Sequence, residues 1–277
     1  MSEADTPDVV VSSRRQRARV LAATSWRTAT ASLRPWPDFV ILGGMRCGTS
    51  SLYRWLSAHP QVTPALKKEL HYFDVDHAKG ERWYRSHFPL LRHGRITGEA
   101  SPYMLFYFVS PERVAREIPE TKLIALLRNP VERAISHYWF SREMEIETEP
   151  LAAAIRLEPE RLAPEKEAFI RGGKCPHHRW FSYLARGEYA SQLERWFAYA
   201  GRERVLVLES EKVFSDPDTR ALLTDWLGVP PSARPFAHIN RRSREPVDPS
   251  VTATLERHFE PHNEELFALL GTRLWGY

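Results

Sequence analysis

The segment Gly43-Gly44-Met45-Arg46-Cys47-Gly48-Thr49-Ser50-Ser51 gathers the residue types that hold an anion. Glycines let the backbone approach an anion closely. The N–H groups at the start of a following helix point outward and carry partial positive charge. Arg46 adds a full charge, and the hydroxyls of Thr49, Ser50 and Ser51 add hydrogen bonds. A structural turn with incidental serines accounts for the same residues, and loop chemistry alone leaves the two readings level. A Walker A loop is a poor description, because that motif ends in Gly-Lys-Ser/Thr and needs a magnesium-holding partner. Here the charged residue precedes Gly48, and Thr49 follows it directly. Arg128 stands at the end of the apolar run Leu123-Ile124-Ala125-Leu126-Leu127, where parallel sheets hold their ligands, although an ion pair is the alternative. Cys175, His177 and His178 form only a weak metal pattern, without a fourth ligand at useful spacing.

These residues need elements to position them. Phe39-Val40-Ile41-Leu42, bounded by proline and glycine, predicts a buried strand, and a helix follows from Thr49 to the stop at His59-Pro60. Ile96 to Glu99, Lys122 to Leu127 and Arg204 to Leu208 predict three more strands. Asn129-Pro130 opens a helix with Val131, Ala134, Ile135 and Tyr138 as its buried stripe. Gly187 to Ala200 predicts another helix, and Asp216-Pro217 opens one that Gly228 stops. Residues 141–180 show charge, proline and glycine without a steady period, and predict a mobile insertion beside the core. A loop from Pro230 to Pro246 leads to a helical tail. Strands alternating with helices imply an α/β fold, a parallel sheet with helices on both faces. One domain over residues 37–277 is expected, preceded by a basic, flexible segment over 1–36.

The net charge of +4 suits an anionic ligand but gives no argument for nucleic acid. Most of the basic residues are arginines, suited to bidentate contacts with phosphate and sulfate, although genomic base composition explains them equally well. The two cysteines, Cys47 and Cys175, make no disulfide framework. No apolar run is long enough to span a bilayer, and no signal-peptide core precedes the first strand, so a cytoplasmic location without stable membrane insertion is expected.

Several segments, in order, resemble the sulfotransferases that use 3′-phosphoadenosine-5′-phosphosulfate (PAPS), in the branch related to heparan sulfate sulfotransferases. The loop Gly43 to Leu52 resembles that family's 5′-phosphosulfate loop. Lys68-Glu69-Leu70-His71-Tyr72-Phe73 resembles its Lys-Glu-x-His-aromatic-Phe segment, and Leu127 to Tyr138 its 3′-phosphate segment. Gly98-Glu99-Ala100-Ser101-Pro102-Tyr103 and Arg186 to Leu193 look like further family landmarks. The resemblance implies a P-loop-like fold, PAPS as donor with 3′-phosphoadenosine-5′-phosphate (PAP) as product, and no metal requirement. It assigns the 5′-phosphosulfate to Arg46, Cys47, Gly48, Thr49, Ser50 and Ser51, and the 3′-phosphate to Arg128 and Ser136. Glu69 aligns with the family's catalytic glutamate; Lys68 is expected to face the sulfuryl oxygens or the phosphate. His71 is the rival base, placed on the same face if the segment is extended. Burial near the donor's negative charge is expected to raise the pKa of Glu69.

The chain departs from the family in three places. Arg46 replaces a lysine, Ala100 stands where heparan-type members carry lysine, and Asn240-Arg241-Arg242-Ser243-Arg244 replaces a Lys-Gly-Arg run. Arg241 and Arg242 are candidates to close over the nucleotide. The last two departures point away from a long polyanionic sugar and toward a hydroxyl of a small glycan, glycolipid or secondary metabolite. Trp83, Tyr84, Tyr103 and Trp180 could line an acceptor pocket, with core packing the commoner use of such rings. A magnesium-dependent P-loop kinase or phosphotransferase and a non-catalytic nucleotide-binding module are the alternatives. The sequence does not give the oligomeric state.

Overall fold

The computed structural model describes residues 25–90, 93–232, 234–236 and 246–276. Four strands form one sheet: β1 (Phe39–Gly43), β2 (Gly98–Ala100), β3 (Lys122–Leu127) and β4 (Val205–Glu209). Their order is β2-β1-β3-β4 and every pairing is parallel, with Val40 opposite Glu99 and Leu123, and Leu127 opposite Glu209. The α-helices are α1 (Thr49–Ser57), α2 (Glu81–Ser86), α3 (Ser110–Glu117), α4 (Pro130–Glu143), α5 (Leu151–Leu162), α6 (Lys166–Ile170), α7 (Pro176–Trp180), α8 (Tyr189–Ala200), α9 (Ser210–Ser215), α10 (Pro217–Leu227) and α11 (Pro249–Leu270).

The two-residue period of the strands divides their side chains between two cores. Val40, Leu42, Leu123, Ala125 and Leu127 pack with Leu193 and Trp196 of α8 and with Leu266 and Phe267 of α11. Phe39, Ile41, Ile124 and Leu126 pack on the other face with Leu52, Trp55 and Leu56 of α1 and with Leu223 and Leu227 of α10. β1 and β3 are covered on both sides, which is why they read as continuous apolar runs. The expected single-domain α/β fold, with a parallel sheet between helices, is the observed one.

The helix signals act as expected. Asn129 Oδ1 accepts from the Val131 N–H at 3.0 Å, and Asp216 accepts from Asp218 and Thr219. Gly228 ends α10 at φ 78°, a conformation open to glycine at little cost.

Two regions differ from the sequence expectation. The supposed flexible segment is docked at its C-terminal end: Arg27 donates to the carbonyls of Ser86 and Phe88, both at 2.6 Å, and buried Arg34 donates to Phe88 at 2.7 Å. Residues 1–24 lie outside the described residues. The 141–180 region is ordered into α5, α6 and α7 around two buried carboxylates. Glu147 pairs with Arg161 at 2.6 Å and accepts from Tyr183 Oη at 2.9 Å. Glu158 accepts from the backbone N–H groups of Leu184 and Ala185 at 2.7 and 2.9 Å. α6 and α7 are too short to show a period, and in α5 the buried face Leu151, Ala154, Ile155 and Glu158 ends on a carboxylate that breaks the apolar pattern. Among the described residues, no helix is long and apolar enough to cross a membrane.

Candidate functional site

The carboxyl ends of β1 and β3 open into one cavity of about 670 Å³. Its wall includes Arg46, Cys47, Gly48, Thr49, Ser50 and Ser51 from the first loop. Lys68, Glu69 and His71 line it too, as do Arg128 and Ser136. Three stretches far apart in sequence are therefore brought to one place. Arg241 and Arg242 lie outside the described residues.

The loop is built around its glycines. Gly43 has φ 119° and Gly48 φ 82°. A Cβ at Gly43 would run into the Pro102 carbonyl, and one at Gly48 into the ring of Phe214. Gly48 is the N-cap of α1; no side chain caps that helix start and no acidic residue lies in its first turn. Such a terminus favours an anion. Ser210 Oγ donates to the Cys47 carbonyl at 2.7 Å and fixes the loop from the β4 side.

Arg46 Nε donates to Ser136 Oγ at 3.2 Å, so the first loop and α4 meet directly. The guanidinium also lies 4.7 Å from the centre of the Phe140 ring. Arg128 follows β3 and pairs with Glu132 and, at 3.2 Å, with Glu211. Tyr189, buried at the start of α8, donates from Oη to the Arg128 carbonyl at 3.0 Å, and that hydroxyl lies 3.7 Å from Cys47 Sγ. One phenol thus spans the Cys47 loop and the end of β3. The sequence placed it in the landmark segment Arg186 to Leu193 without a contact to either.

Glu69 and His71 do share the cavity, although not through an extended segment. Both occupy left-handed backbone, at φ 62° and 56°, as does Arg46 at 70°. Non-glycine residues rarely do so, and such positions cluster at functional sites. The Glu69 N–H donates to the Ala100 carbonyl at 3.0 Å and the His71 N–H to Ser101 Oγ at 3.1 Å. Ser101 in turn donates to Glu99 at 2.8 Å, which also accepts from Tyr84 Oη at 2.6 Å. The landmark Gly98 to Tyr103 therefore holds the Lys68–His71 turn from below.

Glu69 pairs with Lys68 through one oxygen, and its other oxygen lies 3.7 Å from His71 Nε2. His71 Nδ1 donates to buried Asp74 at 2.9 Å. Burial raises the Glu69 pKa, but the His71 hydrogen bond and the Lys68 charge outweigh it and hold the group at about 2. Burial lowers His71, but the Asp74 charge and hydrogen bond carry it up to about 9. The expectation of a raised Glu69 pKa is thus reversed in the protein alone, where two cationic neighbours dominate.

Arg179, Trp180 and Arg186 also line the cavity. Arg186 is buried, donates to Ser182 Oγ at 2.7 Å and to the Arg179 carbonyl at 2.8 Å, and lies 4.6 Å from the centre of the Tyr103 ring. Burial pushes its pKa down to about 9. Of the aromatic candidates, Tyr103 and Trp180 line the cavity; Tyr84 is a core residue, and Trp83 packs against that core. Glu165, not singled out in the sequence, joins Cys175 and His178 as a possible metal-ligand group. The Cys175 thiol is pushed up by burial and then by the Glu165 charge.

Comparison with known proteins fits this geometry. The family described as "Sulfotransferase domain" matches residues 36–245. Heparan sulfate glucosamine 3-O-sulfotransferase 6 of Homo sapiens is 34% identical over 197 residues, covering 71% of this chain and 53% of that protein. Heparan sulfate glucosamine 3-O-sulfotransferase 5 of Mus musculus is 28% identical over 264 residues, covering 86% and 73%. The chain thus spans about half the length of the first of these relatives. A sulfotransferase crystal structure from Alicyclobacillus acidocaldarius superposes with a TM-score of 0.70 at 31% identity, covering 87% of this chain and 98% of that one. With the family match running from three residues before the first strand past the last one, this chain belongs to the sulfotransferase family.

Proposed function

We propose that the protein transfers a sulfuryl group from PAPS to a hydroxyl of a small glycan, glycolipid or secondary metabolite. The observation that carries this reading is the meeting of three segments in one cavity: the loop over 46–51, Arg128 with Ser136, and Lys68–Glu69–His71. The uncapped start of α1 and the loop hydroxyls suit the 5′-phosphosulfate, and Arg128 with Ser136 suits the 3′-phosphate. Five cationic side chains, Arg46, Lys68, Arg128, Arg179 and Arg186, stand against three carboxylates, Glu69, Glu132 and Glu211, and leave the cavity lining net positive, which suits such a donor.

In the proposed reaction the acceptor oxygen forms a bond to sulfur while the bond from sulfur to the phosphate oxygen breaks. PAP leaves with that electron pair, and Glu69 takes the hydroxyl proton. Arg46 neutralises charge gathering on the leaving phosphate. The anionic donor draws Lys68 from Glu69 toward the sulfuryl oxygens, and loss of that cation lifts the carboxylate pKa. His71, protonated at neutral pH, orients Glu69 rather than competing with it as base, and Asp74 fixes the imidazole. Ala100, which replaces a lysine, is wholly buried in the core with Phe39 and Ile41, so this position adds no charge beside the cavity. The reaction as proposed uses no metal, and a cytoplasmic location belongs to the same proposal.

The test is transfer from ³⁵S-labelled PAPS to extract metabolites, with mass analysis of the labelled products. Labelled hydroxyl compounds that vanish with Glu69→Gln are expected. Phosphoryl transfer from magnesium-ATP, or nucleotide binding without any turnover, would replace this reading.

A further inference from the structure

Away from the cavity, two imidazoles and a carboxylate converge. His258 and His262 of α11 are four residues apart, so their side chains stand on one face of the helix. Glu188, the N-cap residue of α8, reaches them from the neighbouring element. Both imidazoles direct Nε2 at the same oxygen: His258 lies 3.2 Å and His262 3.8 Å from Glu188 Oε1. The three candidate ligand atoms all lie within 4.8 Å of one another. Tetrahedral bonds of about 2.0–2.1 Å place ligand atoms about 3.3 Å apart, so modest side-chain rotation closes this set on an ion. The remaining nitrogen of His262, Nδ1, lies 3.4 Å from Glu265 Oε2. A carboxylate there holds the proton on Nδ1 and turns the Nε2 lone pair toward Glu188, the usual support of a metal-bound histidine. The side chains of His258, His262 and Glu188 are 32%, 30% and 34% exposed, so an ion can enter and water can fill a fourth position.

We propose that Glu188, His258 and His262 form a binding site for a divalent transition metal of the zinc class. Two neutral imidazoles and one carboxylate select such ions over magnesium or calcium, which prefer all-oxygen shells. The ion ties α11 to the segment that opens α8. That segment also carries Arg186 into the cavity wall and Tyr189 to the Arg128 carbonyl. Gly187 between them faces Phe259 of α11 so closely that a Cβ would meet its ring. The site therefore braces the cavity wall from behind, and no step of the transfer passes through the metal.

The experiment is a zinc titration of the chelator-stripped full chain against a chromophoric indicator, with melting temperature read in parallel. One zinc ion per chain is expected, with a rise in melting temperature on binding. His262→Ala and Glu188→Gln should each weaken zinc binding by 10- to 100-fold, and the exposed position of His262 lets its variant fold. Cobalt in place of zinc should show visible bands without a thiolate charge-transfer band. Absence of binding, or binding unchanged in both variants, would overturn the site. So would a thiolate band lost with Cys175→Ser, which would move the ion to Glu165, Cys175 and His178. None of these readings depends on sulfuryl transfer.

Discussion

A carboxylate held at about 2 beside an imidazolium held at about 9 makes the Lys68–His71 turn the most polarised part of the cavity. Lys68 contributes to the low value, so Lys68→Met should raise the Glu69 pKa. The acid limb of the kcat/KM profile, which reports the free enzyme, should then move to higher pH. His71 gives a second pH test. Its folded pKa lies above the unfolded value of 6.5, so its contribution to stability is complete below 6.5 and is lost as pH rises through about 9. Melting temperature should therefore fall more steeply over that window in the native protein than in His71→Gln. Below that window the variant is the less stable, because Asp74 is left buried beside an uncharged side chain, and the difference closes as pH rises through about 9. The residue types in this turn were legible in the sequence. Asp74 and the left-handed backbone were not, because both depend on what the turn packs against.

At the scale of elements, the strand–loop–helix unit and the strand-end arginine could be read because they are local in sequence. The tie between them could not. Tyr189 joins the Cys47 loop to Arg128 across 142 and 61 residues. Tyr189→Phe removes one hydroxyl and no ring, and a neutral hydrogen bond contributes about 0.5–1.5 kcal/mol. Urea unfolding should show that loss of stability, and PAP affinity measured by calorimetry should weaken as well, because the end of β3 loses its tie to the Cys47 loop. The elements of the 141–180 region were not legible for the opposite reason, since charge, proline and glycine gave no steady period where Glu147 is wholly buried as a tie between segments. Arg161→Ala leaves that carboxylate with its Tyr183 and backbone partners only, and should destabilise the protein by about 3 kcal/mol in urea unfolding.

Across the whole molecule, the two faces of the sheet divide the work. The β1 loop and the start of α1 bring the residues proposed to hold the first anion, the end of β3 and the start of α4 those proposed to hold the second, and the Lys68 turn lines the same cavity. Alternating strands and helices made this architecture legible from the sequence. Nothing local in the sequence announced that Arg46 and Ser136 would touch, and that contact joins the first loop to the helix that follows Arg128. A nucleotide phosphorylated at both ends should therefore engage the protein far better than one phosphorylated only at the 5′ position. Titration calorimetry with PAP and with AMP tests this directly. The account predicts that PAP binds at least about 10-fold more tightly, since a charge-assisted contact contributes about 1.5–3 kcal/mol, and that Arg128→Ala removes most of the difference. Equal affinity for the two nucleotides in the native protein would contradict it.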